Sequence, residues 1–121
     1  MIRSDITAAR ATTHTDRQRA LTVLDASYTE EKHWVESAAK LFPEDDLRDE
    51  RITWVVATVG DSPTGVLRVD FDPPLDHYRD YDLLDSAGDL DIDAFVQRHR
   101  IAQIGPFAIH PAFRCRFQVV F

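Results

Sequence analysis

Apolar and polar residues alternate along the middle of the chain with the period of two that is typical of β-strands. The segment 52–59 is rich in β-branched residues and Trp, which favours a strand. In 66–71 one face of the alternation is apolar, and the other carries Arg68 and Asp70. Glycine, proline and small polar residues fill 60–65 between the two segments, as in a turn. The pattern therefore predicts an antiparallel hairpin.

The segment before this hairpin has the spacing of a helix. Thr15 is the predicted N-cap, because Gln18 follows three residues later, as in a capping box. Apolar residues then recur at close to helical spacing, at Ala20, Leu21, Leu24, Tyr28 and Val35. We expect the helical region to end at Pro43 and an acidic loop to follow over 44–50. Residues 6–10 are expected to form a short first strand.

An acidic insertion at about 72–93 follows the hairpin. Its aspartates lack the regular oxygen-ligand spacing of a calcium loop, so we expect a solvated loop and no metal. A short helix is predicted over 92–98 and a further strand over 101–109. Because proline cannot donate a hydrogen bond to a ladder, Pro106 is expected at a bulge or on an edge strand.

The order of these elements predicts an α+β fold in which helices pack on a mostly antiparallel sheet. The 121 residues are expected to form a single domain. A net charge of −7 argues against a nucleic-acid partner, since phosphate binding needs a basic surface. The single cysteine, Cys115, permits no intrachain disulfide. With no apolar signal core and no run of membrane-spanning length, we expect a cytoplasmic protein without a membrane span.

Two stretches in this order resemble the GNAT (Gcn5-related N-acetyltransferase) superfamily. The stretch 101–114, IAQIGPFAIHPAFR, is similar to the fourth strand of that fold and the turn into its CoA-binding helix. The stretch 64–69, TGVLRV, is similar to the third strand. The nearest branch is that of the acyl-homoserine-lactone synthases and N-acyl amino acid synthases. Its Gly-x-x-Arg strand is matched by Gly65 and Arg68. Its Glu-x-x-Arg-Phe-x-Val strand falls on 103–109, where the aromatic and aliphatic positions match, whereas Gln103 and Pro106 stand at the positions of the Glu and the Arg.

The resemblance implies an N-acyltransferase that moves an acyl group from acetyl-CoA, another acyl-CoA or an acyl carrier protein to an amine. In that fold the donor's pantetheine amides pair with the backbone of the fourth strand, here Phe107, Ala108 and Ile109. The phosphates bind at the start of the following helix. Arg114 and Arg116 are the residues that the resemblance assigns to them.

The acceptor is expected to be a small-molecule amine or amino acid. Gln103 stands at the position of a catalytic carboxylate, but glutamine has no basic form and can only orient a water or an amine. Arg68 is a candidate to hold an acidic group of a substrate, with an ion pair to a nearby aspartate as the alternative. Glu31 and Trp34 correspond to residues that shape the substrate pocket, with a solvated helix face and one packed Trp as the alternative.

The match to the family ends abruptly at Arg114. Family members continue with a loop of small residues, whereas this chain has Cys115, Phe117 and Val119. We therefore expect an incomplete GNAT-like fold whose C-terminal part is missing, from a truncated or frameshifted gene, with weak activity or none. The alternative is a non-catalytic remnant or protein-interaction module that forms a homodimer through an open sheet edge.

Overall fold

The described residues form an α+β structure built on a four-stranded antiparallel sheet. A computed structural model describes residues 5–73 and 91–114. The strands occur in the sheet in chain order and are β1 (Ile6–Arg10), β2 (Ile52–Val59), β3 (Ser62–Phe71) and β4 (Ala102–Ile109). The α+β class and the antiparallel hairpin predicted from the sequence are confirmed. The predicted sites at Arg116 and the residues after it, together with 74–90 of the acidic insertion, lie outside the described residues.

The hairpin of β2 and β3 turns at Gly60, which has a φ of 57°. Glycine adopts this left-handed conformation without the steric cost that a Cβ imposes. β3 then pairs with β4, and the register shifts between Leu67 and Val69. Leu67 lies opposite Phe107, whereas Val69 lies opposite Ile104, so β4 holds one residue more than β3 at this point. The bulge predicted around Pro106 is confirmed.

In the described part of the chain, the helices before β4 are α1 (His14–Leu24), a π-helical continuation over Asp25–Glu31, α2 (Ala38–Leu41), α3 (Glu44–Arg48) and α4 (Ile92–Arg98). A single 3₁₀ turn, Pro111–Phe113, follows β4. Two predictions are wrong here. The N-cap of α1 is Thr13, whose hydroxyl accepts a hydrogen bond from the Asp16 amide at 3.1 Å, and not Thr15. The predicted acidic loop over 44–50 contains α3, because Leu47 is buried in the core.

The core lies between the helices and one face of the sheet. Its largest fully buried side chains are Trp54, Leu24, Leu47 and Val23. The face of β3 that turns towards the helices carries Val66, Arg68 and Asp70, all of them buried. The apolar face of β3 points to the other side of the sheet, where Phe71 is 44% exposed. The helices therefore cover the face of β3 that carries Arg68 and Asp70.

None of the described helices has the length and apolar character needed to cross a membrane.

Candidate active-site cleft

The most distinctive side chain of the structure is Arg68, a buried guanidinium on β3. Its Nε donates to Asp70 Oδ1 at 2.6 Å and its Nη2 to Asp70 Oδ2 at 3.0 Å. Its Nη1 donates to Asp46 Oδ2, in α3, at 2.9 Å. The two bonds to Asp70 form a bidentate arginine–carboxylate pair, which is the strong geometry for such contacts. All three guanidinium nitrogens are therefore engaged by carboxylates of the chain itself.

Two aromatic rings enclose the same guanidinium. The Cζ atom of Arg68 lies 4.9 Å from the ring centroid of Phe42 and 5.3 Å from that of Trp54. These distances are within the range of cation–π attraction. The two rings meet edge to face at 5.5 Å between centroids. The ion pairs and the rings together hold the arginine in one position against the sheet.

A cleft of about 750 Å³ opens beside this cluster, between the α2–α3 region and the bulge of β4. Gln103 lines it and lies opposite Asp70 in the sheet register. The apolar part of its lining consists of Leu41, Phe42, Ile52, Phe71, Pro73, Ile104 and Pro106. A volume of this size with a mixed lining is typical of small-molecule sites. The structure thus brings the predicted residues Arg68 and Gln103 to one cleft.

Further charged residues line the cleft in pairs. Asp49 accepts hydrogen bonds from the Arg51 side chain at 2.8 and 3.2 Å. These bonds, with one from the Arg51 amide, lower the pKa of the Asp49 carboxyl, and the same side-chain contact raises the pKa of Arg51. Asp72 accepts from the Ile101 amide at 3.0 Å and from Arg100 at 3.3 Å. Among the described residues, no group of three His, Cys, Asp or Glu side chains is arranged to hold a metal ion.

A second cluster forms where the π-helical segment meets the end of β4. The Tyr28 hydroxyl donates to the Phe107 carbonyl at 3.2 Å, and burial raises the pKa of Tyr28. The Tyr28 ring contacts Trp34 edge to face, with 5.4 Å between ring centroids. Trp34 itself is 67% exposed. A tyrosine that the sequence indicated only as an apolar helix position thus connects two of the predicted site residues.

Arg114 fixes the other side of this second cluster. Its Nη2 donates to Ser27 Oγ at 2.7 Å, its Nε to the Ile109 carbonyl at 3.1 Å, and its Nη1 to the Glu31 carboxylate. The hydrogen bond from Arg114 is the main reason that the pKa of Glu31 is lowered. The guanidinium that the family resemblance assigns to phosphate is therefore bound to an internal carboxylate.

The predicted site residues fall into these two clusters. Trp34 and Phe107 contact Tyr28, and Glu31 and Arg114 pair with each other beside Ser27. Arg68 and Gln103 share the cleft. Ala108, the residue after Phe107 on β4, is buried in the core with 6% of its surface exposed, and Ile109 is half-buried. The alternative interpretation of Arg68, an ion pair with a nearby aspartate, agrees with the structure, in which the partners are Asp70 and Asp46. Asp70 carried a signal, because residues two apart on a strand share a face, whereas the approach of Asp46 depends on the tertiary fold.

Comparison of the chain with protein-family models, with curated proteins and with solved structures found no match.

Proposed function

We propose that this chain is an N-acyltransferase of GNAT type, with weak activity, that moves an acyl group from an acyl-CoA or acyl carrier protein to an amine. The observation that carries the proposal is the cleft of about 750 Å³ beside the bulge of β4. It combines an apolar wall with fixed charges, and Gln103 lies in its lining. This is the kind of cavity that a small acceptor requires, next to the strand that the resemblance assigns to the donor.

The reaction needs little covalent chemistry from the protein. The neutral amine nitrogen attacks the thioester carbonyl carbon, a C–N bond forms and the C–S bond breaks. The electron pair of the C–S bond leaves with sulfur, and the ammonium proton of the acceptor passes to the thiolate or to water. The protein contributes by holding the two reactants in contact and by excluding water, which alone removes a large part of the barrier. Gln103 orients the amine and takes no proton.

The donor would lie along β4 from Phe107 to Ile109, with its phosphates near Arg114 and Arg116. The Phe107 carbonyl already accepts a hydrogen bond from Tyr28, and Arg114 already binds Glu31 and Ser27. Donor phosphate at Arg114 must therefore share the guanidinium with Glu31 or displace it. Because the donor phosphate competes with Glu31 for Arg114, the proposed function includes weak binding of the donor.

The test is amine-dependent release of free thiol from acyl-CoA by the purified chain, with the amide product identified by mass spectrometry. We expect slow turnover that requires both substrates and falls at least tenfold in Gln103→Ala. The matched control is Asp61→Asn, at an exposed turn outside both clusters, which should leave the rate unchanged. Turnover in Gln103→Ala equal to that of the original chain would refute the role of the cleft. No amide from any thioester–amine pair would refute the function.

Self-association as an interaction module is the second candidate. It is favoured by the sheet face that the described helices leave uncovered, where Ile104 is 69% exposed. Large exposed apolar side chains that lie together often mark contact surfaces between proteins. Light scattering across a concentration series would test it. A homodimer that Ile104→Glu converts to a monomer supports this candidate, and a monomer at all concentrations refutes it.

A further inference from the structure

The outer edge of β4 has backbone groups that point away from the rest of the described sheet. β4 is the last strand in the order β1-β2-β3-β4. The His110 amide donates to the Thr64 carbonyl at 2.7 Å, and hydrogen-bonded pairs alternate with non-bonded pairs along an antiparallel ladder. In the register of β3 with β4, the backbone groups of Phe107 and Ile109 therefore point away from β3.

Side chains occupy both of these outward carbonyls. The Tyr28 hydroxyl donates to the Phe107 carbonyl at 3.2 Å, and Arg114 Nε donates to the Ile109 carbonyl at 3.1 Å. Native proteins commonly cover a sheet edge, because its backbone groups would otherwise pair with other chains. An extended ligand that adds to β4 needs the space directly beside the same carbonyls. Such a ligand must therefore displace the Tyr28 hydroxyl from Phe107.

The π-helical segment, Asp25–Glu31, supplies the groups that close this edge. Besides Tyr28, it contributes the Glu31 carboxylate, to which Arg114 Nη1 donates, and the buried Ser27 Oγ, which accepts from Arg114 Nη2 at 2.7 Å. By contrast, the hydrogen bonds of Tyr28 and Arg114 to β4 lie at the surface, where a single hydrogen bond contributes little net stability. Little free energy is therefore needed to open the edge.

We propose that the π-helical segment autoinhibits the donor site, with Tyr28 covering the edge of β4 and Glu31 occupying Arg114. This inference rests on the proposed function, because it describes the regulation of the donor site on that strand. The donor binds only the open state, so its measured affinity is the intrinsic affinity multiplied by the open fraction of the chain. Variants that weaken the closure therefore bind the donor more tightly than the original chain does.

Two variants of the full chain test this by calorimetric titration with acetyl-CoA. Tyr28→Phe removes the hydroxyl and keeps the ring, and should bind acetyl-CoA at least about threefold more tightly, as expected for one surface hydrogen bond. Glu31→Gln weakens the hold on Arg114 and should have an effect of similar size. The matched control, Glu30→Gln, removes the same charge from the neighbouring exposed residue and should change the affinity by less than about twofold.

Three results of this titration would overturn the inference. They are unchanged affinity in Tyr28→Phe, weaker binding in Tyr28→Phe, and equal effects of the two glutamate variants. Each would show that the contact of Tyr28 with β4 or of Glu31 with Arg114 does not compete with the donor.

The fluorescence of Trp34 gives a readout that does not depend on turnover. The Tyr28 ring lies edge to face on Trp34, so displacement of Tyr28 by acetyl-CoA should change the Trp34 emission. The change should be absent in Trp34→Phe, in which the buried Trp54 remains. Saturable binding without a change in emission overturns the inference and leaves the proposed function standing. Binding that is tighter in Tyr28→Phe but yields no amide with any amine refutes the proposed function alone, and no binding to the original chain or to either variant refutes both.

Discussion

Arg68→Met tests whether the buried ion-pair cluster holds the sheet and α3 together. Methionine fills much of the same space between Phe42 and Trp54 and removes the charge. Asp70, whose side chain is 13% exposed, then has no guanidinium opposite it, and Asp46 loses its link to β3. Removing one partner of a buried ion pair typically costs about 3–5 kcal/mol. Because the Asp46 side chain is 30% exposed, we expect the lower end of this range, about 3 kcal/mol.

This loss is measurable and leaves the protein folded. Native domains have about 5–15 kcal/mol of stability, and 3 kcal/mol corresponds to roughly 10 °C in Tm for a chain of this size. Urea unfolding followed by tryptophan fluorescence gives the free energy of unfolding, because Trp54 is fully buried and becomes exposed, whereas Trp34 is already 67% exposed. The double variant Arg68→Met/Asp70→Asn should recover at least 1 kcal/mol, since the uncompensated carboxylate is then absent.

The control is Arg98→Met, which removes a guanidinium from an exposed position of α4 and should change stability by less than about 0.5 kcal/mol. A cost below about 1 kcal/mol for Arg68→Met would show that the cluster behaves like a solvated surface pair. The same conclusion would follow if the double variant were less stable than the single one. Either result would refute the reasoning that Arg68 is fully committed to the chain's own carboxylates.

Three further predictions concern the bonds around the two clusters. Because Arg114 lowers the pKa of Glu31, the stability from this pair is present at neutral pH and lost as acid protonates Glu31. In Glu31→Gln, Tm should thus fall less steeply between pH 6 and pH 3, about the range in which glutamates titrate; an unchanged slope would contradict the assigned contact. Gly105→Ala should cost about 1–3 kcal/mol in urea unfolding, because φ is 129° there, and a neutral effect would show that the bulge relaxes. Asp25→Ala should cost about 1–2 kcal/mol, as Asp25 Oδ1 accepts from the Ala38 amide at 2.6 Å; Asp61→Ala, at an exposed turn position, is the comparison.

The sequence was informative where local patterns decide the structure. Alternation and turn residues predict the hairpin of β2 and β3, and Pro106 predicts the bulge of β4. The alternation of residues in β3 does not predict which of its two faces packs against the helices, because it only assigns residues to one face or the other. The ion pairs of Arg68, together with Phe42 and Trp54, make the charged face compatible with burial.

Helix boundaries and the site depended on longer-range contacts. Thr13 and Thr15 are both suitable N-cap residues by sequence. In the structure the N-cap of α1 is Thr13. Acidic residues in a first turn favour a helix through its dipole, so Asp46 belongs to α3 and not to a loop. The contact of Asp46 with Arg68 joins residues 22 positions apart, which no local pattern contains. The Arg114–Glu31 pair, 83 positions apart, is of the same kind.

The most direct test of the account is calorimetric titration of the purified chain with an acyl-CoA, with thermal unfolding followed in parallel. On the proposed function, binding is saturable, Tm rises with the concentration of acyl-CoA, and Arg114→Gln weakens binding while Arg98→Gln does not. A folded chain that releases no heat with any acyl-CoA and shows no change in Tm would contradict the proposal that this protein is an acyltransferase.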